Sequence, residues 1–448
     1  MAKDKAFVCS NCGYDSVKWL GNCPSCNEWN TFKEIKLHKE KSRKVIQAPL
    51  SDAIPISKIQ AASVSRFLTG MSELDNVLGG GIVPGSVILL GGEPGVGKST
   101  LMLQVSENLS KLGKILYVSG EESGAQIKMR SSRLGVKGDK VYFSGETSLE
   151  NIYKQIEKDK PDFLVVDSIQ TCYTSAHDKS PGSIVQVREV TNRLLEISKT
   201  MGIATIIIGH VTKEGNIAGP KILEHIVDTV LYFESNSPYL ILRSVKNRFG
   251  NTDEIGIFLM QEAGVTEVTN PHEVFLDETQ GEGIAVACVI EGTRALMLEV
   301  QALISTTAYA SPRRLVDGVE LNKVNKIIAV MEKHLGLNLS TKDVYINLVG
   351  GIKVKEPAID LAITCAVLSS LYRFTVNKKW AFIGELGLTG EIRKVSFLKE
   401  RVNEAAKMGI EKIILPGKGL EKESLSEQNV KGIKSIIDLI NLFNLKKG

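Results

Sequence analysis

The stretch VILLGGEPGVGKST (87–100) constrains this chain more than any other. It sets four residues between Gly92 and Gly97-Lys98-Ser99, the spacing of a P-loop. Glycines there let backbone N–H groups converge on phosphate oxygens, the lysine reaches the β and γ phosphates, and the serine hydroxyl ligates Mg2+. The flanks agree. SVILLGG reads as an apolar strand, and STLMLQVSENLSKLG as a helix whose positive N-terminal end favours an anion. Gly92, Glu93, Pro94, Gly95, Val96, Gly97, Lys98, Ser99 and Thr100 are therefore the expected nucleotide-binding loop, with ATP and Mg2+ as its ligands.

Strand and helix patterns alternate after the loop. KILYVSGEES (114–123), FLVVDS (163–168) and ATIIIGH (204–210) read as strands; SLENIYKQIEKDKP (148–161) and SIVQVREVTNRLLEISKTMG (183–202) read as helices. That alternation predicts an α/β domain with a parallel sheet and crossover helices. Ligands of such sheets bind at the carboxyl ends of the strands, where Glu121, Glu122, Asp167 and His210 fall. Asp167 is expected to hold Mg2+, directly or through water. Either Glu121 or Glu122 would polarise the attacking water. His210 reads as a sensor of the γ-phosphate or as a structural histidine.

Near the start, Cys9, Cys12, Cys23 and Cys26 form CSNC and CPSC. Two such pairs complete a tetrahedral thiolate set, which suits structural Zn2+ and leaves no open coordination position. Residues 1–35 form the expected zinc module, with Trp19 and Trp29 expected to pack on its second knuckle. The module would bind DNA, bind a protein, or simply fold. Residues 1–66 carry 11 Lys/Arg against 6 Asp/Glu, although the net charge of the whole chain is only +4. Six of those cations lie in KEIKLHKEKSRK (33–44), so 36–65 reads as a basic linker, either solvated or touching phosphates. There is no apolar run of about 18 residues and no apolar N-terminal stretch. A cytoplasmic setting away from membranes is expected.

SVKNRFG (244–250) sets Lys246 and Arg248 two apart, on one face if the chain is extended. With TDEIGIFLM it reads as a hairpin at the far edge of a sheet about six strands wide. Three readings stand: the cations meet the nucleotide of a neighbouring subunit, they meet DNA, or they are a solvated hairpin tip. Residues 66–268 make up the expected ATPase domain.

Beyond EVTNPHEVFLDE (267–278) the pattern turns α+β. GEGIAVACVIEGTRALMLEVQALIS reads as two strands joined at Gly292, RRLVDGVELNKVNKIIAVMEKHLG (313–336) as a helix, and WAFIGELGLTGEIRKV (380–395) as a hairpin. Arg313, Arg314 and Lys323 are either a solvated face or a DNA contact.

FLTGMSELDNVLGGGIVPGSVILLGGEPGVGKST resembles the opening of the RecA-type ATPases. That resemblance places the water-activating glutamate at Glu121, with Glu122 adjacent, and the nucleotide sensor at His210. FIGELGLTGEIRKVSFLKERVNEAAKMGIEKIILP resembles the proteolytic domain of Lon, and residues 271–448 are the expected Lon-like domain. Lys399 matches the lysine of Lon's serine–lysine dyad. Ala358 stands at the serine position, and no Ser or Thr lies between Thr341 and Thr364, so the fold carries over without the protease chemistry. Zinc module, RecA-type core, KNRFG and Lon-like region together are similar to the bacterial RadA (Sms) family. This resemblance implies a hexameric ring ATPase that binds single-stranded DNA, migrates branches or extends D-loops in recombination intermediates, and works beside a RecA-type recombinase. It assigns Lys98, Glu121, Lys246 and Arg248 to catalysis.

Overall fold

The computed structural model describes residues 5–16, 18–36, 55, 65–210, 220–236, 239–252, 254–268, 270, 272–277, 279–309, 311–418 and 430–445. They belong to two compact units. One is Met1–Glu234 with Ile241–Thr252 and Met260–Glu267; the other is Ser235–Leu240 with Asp253–Leu259 and Val268–Gly448. The expected basic linker lies outside the described residues except at positions 36, 55 and 65.

In the first unit, β1 (Lys5–Cys9) pairs antiparallel with β2 (Asp15–Ser16) and with β3 (Phe32–Lys36). So small a sheet cannot bury a conventional core. Its centre is Cys9, Cys23 and Phe32, with Cys12 and Cys26 packed against them. The tryptophans do not cover the knuckle as expected. Trp19 and Trp29 are 51% and 70% exposed, both rings near Gly21, because the cysteines themselves fill the interior.

The ATPase core follows in the order α1 (Ser72–Val77), β4 (Val87–Gly92), α2 (Lys98–Leu109), β5 (Ile115–Ser119), α3 (Gly124–Arg133), β6 (Val141–Ser144), α4 (Leu149–Asp159), β7 (Phe163–Asp167), α5 (Ile184–Met201), β8 (Ala204–His210), α6 (Pro220–Ile226), β9 (Thr229–Asn236), β10 (Tyr239–Asn247), β11 (Ile255–Gln261) and β12 (Gly264–Glu267). The sheet order is β12-β11-β10-β9-β4-β8-β7-β5-β6, and the run from β9 to β6 is parallel. β4, β5 and β7 are buried along their whole length, as expected of strands covered on both faces. One face packs Leu116, Val118 and Leu164 against Ile152 of α4 and Val190 of α5.

The sequence pattern did not reveal α3 and β6. α3 buries only Ile127 and Ser131, and the edge strand β6 leaves Tyr142 and Phe143 exposed, so neither carries a strong apolar period. A capping box between Ser123 and Gln126 starts α3 instead. The sheet also has nine strands rather than about six, and β12, not the hairpin of KNRFG, is the edge beyond β11.

The second unit runs α7 (His272–Phe275), β13 (Ile284–Glu291), β14 (Arg294–Thr306), β15 (Arg314–Val316), α8 (Leu321–Leu335), β16 (Lys342–Leu348), α9 (Asp360–Tyr372), β17 (Trp380–Phe382), β18 (Glu385–Leu386), β19 (Ile392–Arg393), α10 (Leu398–Lys407), β20 (Lys412–Pro416), β21 (Val430–Ile433) and α11 (Ile437–Leu442). Its seven-stranded sheet has the order β15-β16-β14-β13-β17-β20-β21. β13 and β14 join at Gly292, as the sequence suggests, with φ +61°. The helix expected over 313–336 starts only at Leu321, because 314–316 pairs with β16 and Gly318 takes φ +84°. The expected hairpin 380–395 is likewise shorter. β17 inserts between β13 and β20 in parallel, and only β18 and β19 pair with each other.

Candidate active site

The P-loop closes on itself. Gly95 and Gly97 have φ of +81° and +107°, and a Cβ on Gly92 would stand 2.6 Å from the Phe233 carbonyl oxygen. Only glycine fits these places. Lys98, 4% exposed, donates to the carbonyls of Gly92 at 2.7 Å and Glu93 at 2.8 Å. Burial lowers its pKa to about 8, against the opposing pull of Asp167, Glu121 and Glu93. All three carboxylates act on the loop lysine through their charge.

This pKa predicts a pH dependence. Bound phosphates favour the charged ammonium, so above pH 8 nucleotide binding takes up a proton that free Lys98 has lost. ATP affinity should be flat below pH 8 and about tenfold weaker at pH 9 than at pH 7. Titration with a non-hydrolysable ATP analogue checks it, and an unchanged affinity at pH 9 would contradict it.

Asp167 is 2% exposed at the end of β7. The Tyr117 hydroxyl donates to its Oδ2 at 2.8 Å, while Oδ1 is buried without a hydrogen-bond partner among the described residues. A buried carboxylate oxygen without a donor fits a hard cation. Together with the half-buried Ser99, it suits Mg2+.

The two neighbouring glutamates diverge. Glu121 pairs with His210 Nε2 at 2.8 Å and accepts from the Ser168 hydroxyl. The His210 hydrogen bond is the main cause of its lowered pKa. Glu122 pairs instead with Arg130, and burial raises its pKa. Glu121 is thus held by His210 and Ser168 within electrostatic reach of Lys98, whereas Glu122 is held by Arg130 of α3. Tyr117, Ser168 and Arg130 were missed from sequence. The hydroxyl directly after the strand-end acid was the available signal for Ser168.

KNRFG lies elsewhere than expected. β10 returns beside β9, with Asn247 next to Thr229 and the Arg248 N–H donating to the Asp228 carbonyl. The motif therefore sits at the end of the sheet where β4 begins, opposite the P-loop. Five strand steps separate Val87 from Gly92, about 17 Å. Neither cation is a free tip. Lys246 donates to the carbonyls of Glu224, His225 and Val227 at the end of α6, at 2.6, 3.3 and 2.8 Å. Arg248 pairs with Asp228 at 2.9 Å, and Asp228 Oδ2 also accepts from the Val87 N–H. The other motif residues hold the turn: Asn247 donates to Leu78 O, and a Cβ on Gly250 would stand 2.9 Å from Gly79 Cα.

In the second unit, Ala358 is fully buried and Lys399 is exposed. The buried cation of that core is Arg401, which donates to Cys288 O at 2.7 Å and pairs with Glu356. The cations considered for DNA are engaged: Lys323 with Asp360 at 3.0 Å, Arg314 with the carbonyls of Leu339 and Lys342, and Arg313 over the Tyr309 ring.

Sγ atoms of Cys9, Cys12, Cys23 and Cys26 all lie within 4.8 Å of one another, and all four are free thiols. That arrangement fits one Zn2+.

Three family models match the chain: AAA domain over 54–216, Subunit ChlI of Mg-chelatase over 318–419, and Rubredoxin metal binding domain over 7–34. The chain is an ATP-hydrolysing enzyme whose cofactors are ATP, Mg2+ and Zn2+. It joins a P-loop core to a zinc ribbon and a Lon-like α+β region. Among the described residues no helix is long and apolar enough to cross a membrane. A solved KaiC-like protein from Pyrococcus horikoshii matches 46% of this chain and 99% of its own at 22% identity and a TM-score of 0.39. Proteins named DNA repair protein RadA match nearly end to end: 47% identity in Halalkalibacterium halodurans, covering 99% of each chain, 50% in Listeria monocytogenes, covering 93% of each, and 48% in Bacillus subtilis, covering 94% of each. By that measure the chain belongs to the RadA family of DNA repair proteins.

Proposed function

We propose that the protein is a DNA repair ATPase that works as a hexameric motor on single-stranded DNA, migrating branches or extending D-loops beside a RecA-type recombinase. One observation carries the motor reading. Lys98, Glu121 and the unpaired oxygen of Asp167 gather at one end of the sheet, whereas Lys246 and Arg248 stand at the other. A cation about 17 Å from its own P-loop acts on something other than its own nucleotide. A neighbouring subunit's γ-phosphate is the first choice, because an arginine supplied in trans stabilises transition-state charge.

In this reading Lys98 and the loop residues 92–100 hold the phosphates, and Ser99 and Asp167 hold Mg2+, which offsets charge on the transferring phosphoryl group. Glu121 orients the attacking water and accepts its proton. Ser168 and His210 hold Glu121 in place, and His210 reports on the γ-phosphate. The domain limits proposed are 1–35, 36–65, 66–268 and 271–448. Full-length protein is tested by its ATP turnover with and without single-stranded DNA, with Lys98→Ala as the inactive control.

A further inference from the structure

We infer that Tyr117 is a positioning residue that fixes the plane of the Asp167 carboxylate, so that its second oxygen is held ready for the metal ion. The inference depends on the proposal that Asp167 holds Mg2+, and it explains how a carboxylate in an apolar sheet presents one oxygen.

The placement follows from strand register. β5 and β7 are parallel, with Ser119 opposite Asp167 and Tyr117 opposite Val165. Tyr117 is two residues before Ser119, so it shares the face of Asp167 and sits diagonally behind it. Its ring is 1% exposed, and its hydroxyl ends 2.8 Å from Asp167 Oδ2. Among the described residues it is the only side chain that donates to Asp167; Ser119 Oγ accepts instead from the Glu122 N–H.

Consequently one carboxylate oxygen is committed and the other is left bare and buried. The torsion about the Cβ–Cγ bond is broad, so the backbone alone does not fix the plane of the carboxylate. The phenol hydrogen bond fixes that plane before metal arrives. Outer-shell partners of this kind are worth about 10- to 100-fold in metal affinity.

The test uses full-length protein saturated with ADP and titrated with Mn2+, reading free Mn2+ by electron paramagnetic resonance. Tyr117→Phe should bind Mn2+ about tenfold more weakly than the parent, and its affinity for ADP in EDTA should be unchanged. Tyr117→Met, a second side chain without a donor, replaces the phenylalanine variant if that one does not fold. Asp167→Asn separates the two levels. If it weakens Mn2+ binding while the Tyr117 variants bind as the parent does, Tyr117 only packs the core and the inference is wrong. If Asp167→Asn itself binds Mn2+ normally, the metal-site reading falls and takes the inference with it.

Discussion

Arg248→Ala subunits, with an intact P-loop, are expected to lose about 10^3-fold of their neighbours' ATP turnover. Complementation makes the effect readable. Lys98→Ala subunits cannot turn over ATP but keep Arg248. Each variant alone should be inactive, and mixing them should restore turnover, because a Lys98→Ala subunit lends its arginine to the intact P-loop beside it. Asp228 keeps the Val87 N–H and has Lys199 at 3.9 Å, so removing Arg248 does not strand a buried charge. Lys246→Ala should act the same way, though it also frees three carbonyls at the end of α6. If mixing restores nothing, or if either variant changes only DNA affinity, the cations do not serve a neighbour's nucleotide.

Glu121→Gln should lower kcat by about 10^2- to 10^3-fold and leave ATP affinity within a few-fold of the parent. Glutamine keeps the volume and can still hydrogen-bond to Ser168 and His210, but it cannot accept a proton. Glu122→Gln should keep kcat within a few-fold, because Glu122 is committed to Arg130. Single-turnover measurements on both variants decide the matter. Equal losses, or the larger loss at Glu122, would reverse the assignment.

These predictions draw on both legible and illegible parts of the chain. The P-loop, the strand end at Asp167 and the four-cysteine cluster could be read directly, because each depends on local spacing. Chemistry there needs a loop, a strand end or a tight turn, and a few residues encode it. Tyr117 could not be read that way. Its role depends on β5 pairing with β7 in one register, and the two strands are separated by β6 and two helices. Choosing between Glu121 and Glu122 also needed α3, whose polar sequence hides a helix that supplies Arg130.

KNRFG shows the same limit more sharply. Its cations and hairpin were visible, but the end of the sheet they reach was not. An antiparallel return after β9 carries the motif to the far end of β4, and Glu224, His225, Val227 and Asp228 then engage both charges. Arg314 and Lys323 likewise read as open cations, yet long-range partners at Leu339, Lys342 and Asp360 occupy them. Charge in a sequence gives the donor and leaves the acceptor unnamed.

The motor account stands or falls on coupling between DNA and ATP. The most direct measurement is ATP turnover by the full-length protein as single-stranded DNA is added, repeated from low to moderate salt. Phosphate contacts release counterions, so the account predicts stimulation that saturates with DNA, weakens steeply as salt rises, and disappears in Lys98→Ala. Turnover that stays the same with DNA at every salt concentration, in protein that shows no DNA binding, would contradict it.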